Sequence, residues 1–442
     1  MPFSLRPPAV VVELYWRVTG SLWFIPALGV LSGIALAVLV FAAAPLIPDS
    51  AISGFPRVEV SAVKDVLRLI ASSTLTVATV TFSILMVVLT MTASTFSPRA
   101  LTGYMRDRVN QVTFGIFLGG FAFGITAASI TRVNSSSQSL LALLVFVSAA
   151  VALVALGTLV YFIHHTATTV QITNLVLRLH GSADRTLGRF LDDLPRDRDD
   201  GAIPAAYRTG PPATVDSRKA GFVQVLAIQD LRDLAVEHDV VMRVIRRSGD
   251  FAVRGVALCE IWPSTRLSSN LADAVRRAYA IAEQRTAASD PLLGIELLAE
   301  VAMRALSPGI NDPNTAVNCL RYLSDLMVRL ADHPLPQRAL RDDEGWVRVI
   351  VPTPGFRDFV ERPVLSIAGV GAAHLSVVLA ILALLGDVAE ATTDDARRRR
   401  IAETGRAVAD RAMQALAFER EREAVREAVQ ALQPADSETA RP

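Results

Sequence analysis

Four long apolar stretches near the start of the chain constrain its fold more than any other feature. They run from about Leu22 to Leu46, Leu67 to Met91, Val112 to Ile130 and Leu140 to Ile163. A helix needs roughly 20 apolar residues to cross a bilayer core. Lipid offers no partner to an open backbone, so each stretch predicts a transmembrane α-helix. Of the charged side chains, 14 precede residue 164 and 73 follow it. A single uniform globule is thereby excluded. The expected fold is an α-helical membrane domain of four transmembrane helices, followed by a mixed α/β, mostly helical cytoplasmic domain with a small β-rich subdomain. The boundaries read as 1–164 (membrane), 165–215 (juxtamembrane helix and linker), 216–265 (β-rich), 266–434 (mainly helical) and 435–442 (disordered tail).

Ala42-Ala43-Ala44 resembles a signal cleavage site, but the preceding apolar run exceeds the roughly 7–15 residues of a signal core, so an uncleaved anchor is expected. Tyr15, Trp16, Trp23 and Tyr161 suit the membrane interface. Arg6 and Arg17 precede the first span, and Arg99, Arg106 and Arg108 lie between the second and third. Arg57, Lys64 and Arg68 follow the first span, and Arg132 alone follows the third. This bias predicts a bacterial inner-membrane protein with both termini in the cytoplasm. A net charge of +1 excludes nucleic-acid binding driven by bulk charge. Cys259 and Cys319 form neither a metal spacing nor a disulfide framework.

The spans differ in character. Gly29/Gly33, Gly115/Gly119 and Gly120/Gly124 have the GxxxG spacing of closely packed helices. In the second span Ser72, Thr76, Thr79, Ser83, Thr90 and Ser94 fall on one helical stripe, interrupted by Val87. Such a stripe reads as a pore-lining face. The simpler reading is hydroxyls bonded to neighbouring helices or to their own helix carbonyls. No span carries an ionisable residue near its midpoint, which argues against a proton relay or an ion-coupled carrier.

Four strings stand out: FSPRALTGYMRDRVNQVTFGIFLGGFAFG (Phe96 to Gly124), GFVQ (Gly221 to Gln224), GDFAVRG (Gly249 to Gly255) and ALSPGINDPNTA (Ala305 to Ala316). Together they resemble the bacterial family of predicted membrane proteins called domain of unknown function 2254. The resemblance implies a multi-span N-terminal region and a cytoplasmic mixed domain, and it assigns no catalytic residue. Within the first string Pro98 stops the second helix. Arg99, Arg106 and Arg108 then suit lipid headgroups, a carboxylate of the soluble domain, or a positive ring in an oligomer, and snorkelling to the headgroups is the simplest of these.

After the fourth span the helix is expected to continue to about Leu191. His164 and His165 are adjacent, about 100° apart on a helix, and read as interface packing rather than metal ligands. Gly221 to Leu226 predicts a strand and Ile228 to Glu237 a helix. Val240 to Arg246 and Phe251 to Ile261 predict a β-hairpin. GDFAVRG resembles the turn of biotinyl and lipoyl carriers, but the chain's only lysines are Lys64 and Lys219, which excludes that role. Leu271 to Gln284 predicts a helix, and Asp290-Pro291 and Asp312-Pro313 each start another. Between the latter two, Pro308 stops the chain, Gly309 is expected to supply an unusual φ, and Asn311 to tolerate the left-handed region. The alternative is a ligand loop of Glu300, Ser307, Asn311 and Asp312. Trp346 to Val351 predicts a strand, Leu375 to Leu385 a buried core helix, and Asp394 to Leu432 one charged helix.

No nucleophile–base pair, phosphate loop or metal spacing emerges, so neither an enzyme nor a cofactor is expected. The expected function is a homo-oligomeric channel whose cytoplasmic domain gates it or forms its vestibule. The alternative is a non-conducting membrane-anchored sensor or scaffold. The expected partners are the bilayer, further copies of the chain, and an ion or small ligand.

Overall fold

Glycine spacing decides how the apolar helices pack. The computed structural model describes residues 23–46, 59–95, 108–131, 137–169, 172–194, 203–207, 210–287 and 289–432. They form two units, Met1–Asn174 and Leu175–Pro442. Arg6, Arg17, Arg57, Arg99, Arg106, Arg132, the FSPR string and the tail from 433 onward lie outside the described residues.

The first unit holds α1 (Phe24–Ala43), α2 (Val60–Thr95), α3 (Arg108–Ile130) and α4 (Gln138–Thr169). All four are long and apolar enough to cross a membrane. Gly29 and Gly33 of α1 meet Gly115 and Gly119 of α3 backbone to backbone: a Cβ on Gly119 would stand 2.7 Å from the Gly29 carbonyl oxygen. Gly124 of α3 does the same against α2, where a Cβ would lie 2.8 Å from the Leu67 carbonyl oxygen. The GxxxG pairs are therefore helix contacts, as their spacing predicts. Leu67, Phe123, Leu141 and Leu144 fill the core.

Helix α5 (Ile172–Asp192) leads into the second unit, and residues 170–171, between it and α4, lie outside the described residues. It buries Val176, Ala183, Leu187 and Leu191 along one face. Then come β1 (Ala213–Asp216), β2 (Gly221–Leu226), α6 (Ile228–Glu237), β3 (Val241–Val244), β4 (Phe251–Ala252), β5 (Ala257–Trp262), α7 (Ser269–Arg277) and β6 (Tyr279–Ala282). Helices α8 (Pro291–Ala305) and α9 (Pro313–Leu330) precede β7 (Arg338–Arg341) and β8 (Val347–Val351). Helices α10 (Arg362–Gly371), α11 (Leu375–Glu390), α12 (Asp395–Ala415) and α13 (Glu419–Gln430) complete it.

A five-stranded sheet has the order β1-β5-β3-β8-β7, and a three-stranded sheet the order β4-β2-β6. Among the described residues only the β3–β8 pairing is parallel, with Met242 opposite Val349. Several expectations are corrected here. The β-rich region is not confined to 216–265, because β6, β7 and β8 join it through pairings distant in sequence. The strand expected over Phe251 to Ile261 divides at Gly255, whose φ of +78° turns the chain; β5 stays with β3, and Phe251 pairs with Phe222. The helix expected over Leu271 to Gln284 ends at Arg277, since Tyr279 to Ala282 find a pairing partner in β2, which overrides local preference. The terminal charged helix breaks where Leu416 turns extended to bury its side chain. Helix α11 is the expected core helix, burying Val377, Ile381 and Leu385.

Candidate functional site

Helix α2 has two faces with opposite fates. Val63, Leu67, Ile70, Ala71, Thr74, Ala78, Thr81 and Leu85 recur at three- and four-residue spacing and are buried. The predicted stripe lies elsewhere on the helix: Ser72, Thr76, Thr79, Ser83, Val87 and Thr90 are all exposed on the single chain. Ser94 continues the helix, but its side chain lies outside the described residues. From Ser72 to Thr90 the stripe rises about 27 Å at 1.5 Å per residue, close to the roughly 30 Å of a hydrocarbon core.

Each described hydroxyl of the stripe donates to its own helix. Ser72 bonds the Leu69 carbonyl at 3.0 Å, Thr76 that of Ser72 at 2.8 Å and Thr79 that of Leu75 at 2.9 Å. Ser83 bonds the Thr79 carbonyl at 3.0 Å and Thr90 that of Met86 at 2.8 Å. The back-bonding reading is therefore the observed geometry. A hydroxyl used this way still offers oxygen lone pairs outward. The result is a face rich in acceptors and poor in free donors.

Sequence reasoning missed a second polar set inside the helical unit. Thr81, Asn110, Gln111, Thr113, Ser148 and Thr166 are buried. Asn110 Oδ1, Ser148 Oγ and Thr166 Oγ1 have no hydrogen-bond partner among the described residues. The adjacent amides Asn110 and Gln111, so early in an apolar helix, were the available signal. Arg108 opens α3 and is exposed, whereas Arg99 and Arg106 lie outside the described residues. The His165 ring stacks on Tyr161, with centroids 6.0 Å apart.

In the second unit the Ser307–Pro313 loop is accounted for by its own backbone. Asp312 accepts from the Thr315 amide at 3.1 Å and from the Thr315 hydroxyl at 2.6 Å, capping α9. Ser307 Oγ donates to the Arg304 carbonyl at 2.7 Å. The left-handed residue is Asn311, with φ +50°; Gly309, expected to supply the unusual φ, does not. An Asn side chain tolerates that region, so the glycine is not needed for it. No hydrogen bond or ion pair among the described residues joins Glu300 to Ser307, Asn311 or Asp312. Cys319 is buried about two turns into α9, where desolvation, helped by the Asp312 charge, pushes its thiol up to about 12. Burial likewise raises the Cys259 thiol, with the Glu260 charge adding to it, so neither cysteine is a nucleophile at neutral pH.

The strongest polar network of this unit is also internally satisfied. Arg348 on β8 donates to the Tyr207 hydroxyl at 2.7 Å, to Asp239 at 2.8 Å and to Asp342 at 2.7 Å. Hydrogen bonds from Tyr207, Arg348 and Arg266 hold the Asp239 carboxyl well below the usual carboxylate range. Among the described residues no group of three His, Cys, Asp or Glu side chains could hold a metal.

Three comparisons bear on these features. The family described as "Predicted membrane protein (DUF2254)" matches residues 19–387. An uncharacterized protein of Mycobacterium bovis is 27% identical over 391 residues, covering 86% of this chain and 74% of the relative. An uncharacterized protein of Mycobacterium tuberculosis matches with the same identity and coverage. No solved structure matches the chain.

Proposed function

The chain belongs to the DUF2254 predicted membrane proteins, and from that premise we propose that it is a homo-oligomeric conduit. Copies associate through the first unit so that their α2 stripes face one another around a water-filled path. The observation that supports this reading is the outward placement of Ser72, Thr76, Thr79, Ser83 and Thr90 over about 27 Å. Helix packing needs one or two polar contacts, whereas this stripe runs the depth of a bilayer. A face of acceptor oxygens suits water and cations better than anions. The second unit serves as a cytoplasmic gate or vestibule, with both chain termini on the same side.

The test is stoichiometry and flux together. Purified protein in nanodiscs should be a ring of several copies, and reconstituted vesicles should pass small cations. A monomer would overturn the reading, because four helices whose hydroxyls face outward enclose no path. Orientation is tested separately with cysteines at Arg6, within 192–212, and at Ser136. Only the last should react with an impermeant thiol reagent in intact cells.

A second reading, a non-conducting sensor or scaffold, is favoured by one specific observation. The stripe hydroxyls already satisfy their donors within α2, so they can face lipid at little cost. An oligomer without flux would select it.

A further inference from the structure

The second unit contains a cleft of about 310 Å³ where the end of α5, the β2–α6 corner, the turn after β3 and the strands β7 and β8 come together. Three arginines from three different elements line it: Arg189 of α5, Arg247 of the turn and Arg338 of β7. Phe190, Leu226 and Val351 supply apolar wall between them, and Asp193 is the one carboxylate in the lining.

Little of the donor capacity of these arginines is used. Arg348 and Arg285 of the same unit, by contrast, are tightly held: Arg348 bonds Asp342 at 2.7 Å, and Arg285 bonds Asp290 at 2.6 Å. In the cleft, Arg338 stands 4.0 Å from Asp193, and Arg247 stands 3.8 Å from Asp250 and 3.9 Å from Asp358. Those separations exceed hydrogen-bond distance. Among the described residues Arg189 hydrogen-bonds only within its own helix, to the Arg185 carbonyl at 3.3 Å and the Thr186 hydroxyl at 3.4 Å. Three planar forks with donors to spare, converging on a half-apolar cavity, match an anion with several acceptor oxygens joined to an apolar body. The volume falls at the small end of small-molecule sites.

We infer that this cleft binds a small organic phosphate. The phosphate oxygens lie among Arg189, Arg247 and Arg338, and the organic group lies against Phe190, Leu226 and Val351. A carboxylate fits less well, because it offers two oxygens to three guanidinium groups. The site is independent of the conduit and would stand if no flux were found.

The test uses the full chain in phosphatidylcholine nanodiscs, titrated calorimetrically with phenyl phosphate. Saturable binding is expected, with benzoate weaker and phenol not binding. Arg189→Gln and Arg338→Gln should each weaken phenyl phosphate about tenfold or more, with the melting temperature of the unliganded protein unchanged. Should Arg338→Gln disturb the fold, Arg189→Gln still decides, since among the described residues that side chain hydrogen-bonds only within its own helix. Repeating the titration in discs containing phosphatidic acid separates two sources of the phosphate. Loss of phenyl phosphate binding there identifies a lipid headgroup as occupant, and unchanged binding identifies a soluble phosphate. No saturable binding in phosphatidylcholine discs, benzoate binding as tightly as phenyl phosphate, or unaltered affinity in Arg189→Gln would overturn the inference.

Discussion

A Cβ placed on Gly249 would stand 2.7 Å from the carboxyl carbon of Asp290, the residue that caps α8. Two strings quoted from the sequence, the GDFAVRG turn and the Asp-Pro helix start, thus meet side by side. Gly249 has φ +93°, and its amide donates to the Val223 carbonyl at 2.9 Å. The turn is therefore fixed both to β2 and to the cap. That contact sets where Arg247 and Ser248 stand on the cleft wall.

Gly249→Ala should accordingly destabilise the protein more than Gly255→Ala. Both glycines have positive φ, but nothing lies within 4 Å of a Cβ at Gly255. Alanine at Gly255 should cost about 1–2 kcal/mol of backbone strain, and at Gly249 about 1–3 kcal/mol more for the collision. Denaturant unfolding of the two variants measures the difference, and equal costs would contradict the contact.

Gly119→Ala should loosen the first unit, because its Cβ would meet the backbone of Gly29, which cannot rotate aside. A cost of about 1–3 kcal/mol is expected. Gly157→Ala, at a position with nothing within 4 Å, should be near neutral. Thermal melting in nanodiscs distinguishes them.

Asp312→Ala should cost about 0.5–2 kcal/mol and Asp312→Ser very little, since a hydroxyl can also cap α9. Equal losses in the two variants would show that the carboxylate does something other than cap.

Thr76→Leu, Thr79→Leu or Ser83→Leu should block flux in reconstituted vesicles while leaving the oligomer intact, because a bulky apolar group dewets a narrow path. Val87→Thr should raise flux by filling the apolar gap in the stripe. Unchanged flux in all four variants, with assembly preserved, would remove the conduit and leave the scaffold.

Acid should weaken the second unit partly through Asp239. Its folded carboxyl is held below the unfolded value by Tyr207, then Arg348 and Arg266. Its contribution is therefore fully present above the unfolded value of about 3.9 and is lost as pH falls toward the lower folded value. Asp239→Asn should melt at lower temperature than the native chain at pH 7, and the gap should narrow between pH 4 and pH 3. A gap independent of pH over that range would rule out the ionised carboxylate as the cause.

The features legible in the sequence are those that physics settles within a few helical turns. Twenty apolar residues demand a helix wherever they lie. Glycines four apart mark a contact face, and Asp-Pro starts a helix by capping at Asp290 and Asp312. Tertiary structure decided the rest. Tyr279–Ala282 is a strand only because β2 stands beside it, and β3 meets β8 across about a hundred residues of intervening chain. The α2 stripe could be seen as a stripe, but its outward aim follows from which other face Gly120 and Gly124 of α3 draw into the core. Arg189, Arg247 and Arg338 share no local pattern at all. Pairing and convergence of this kind depend on contacts between distant segments, whose partners no local periodicity encodes.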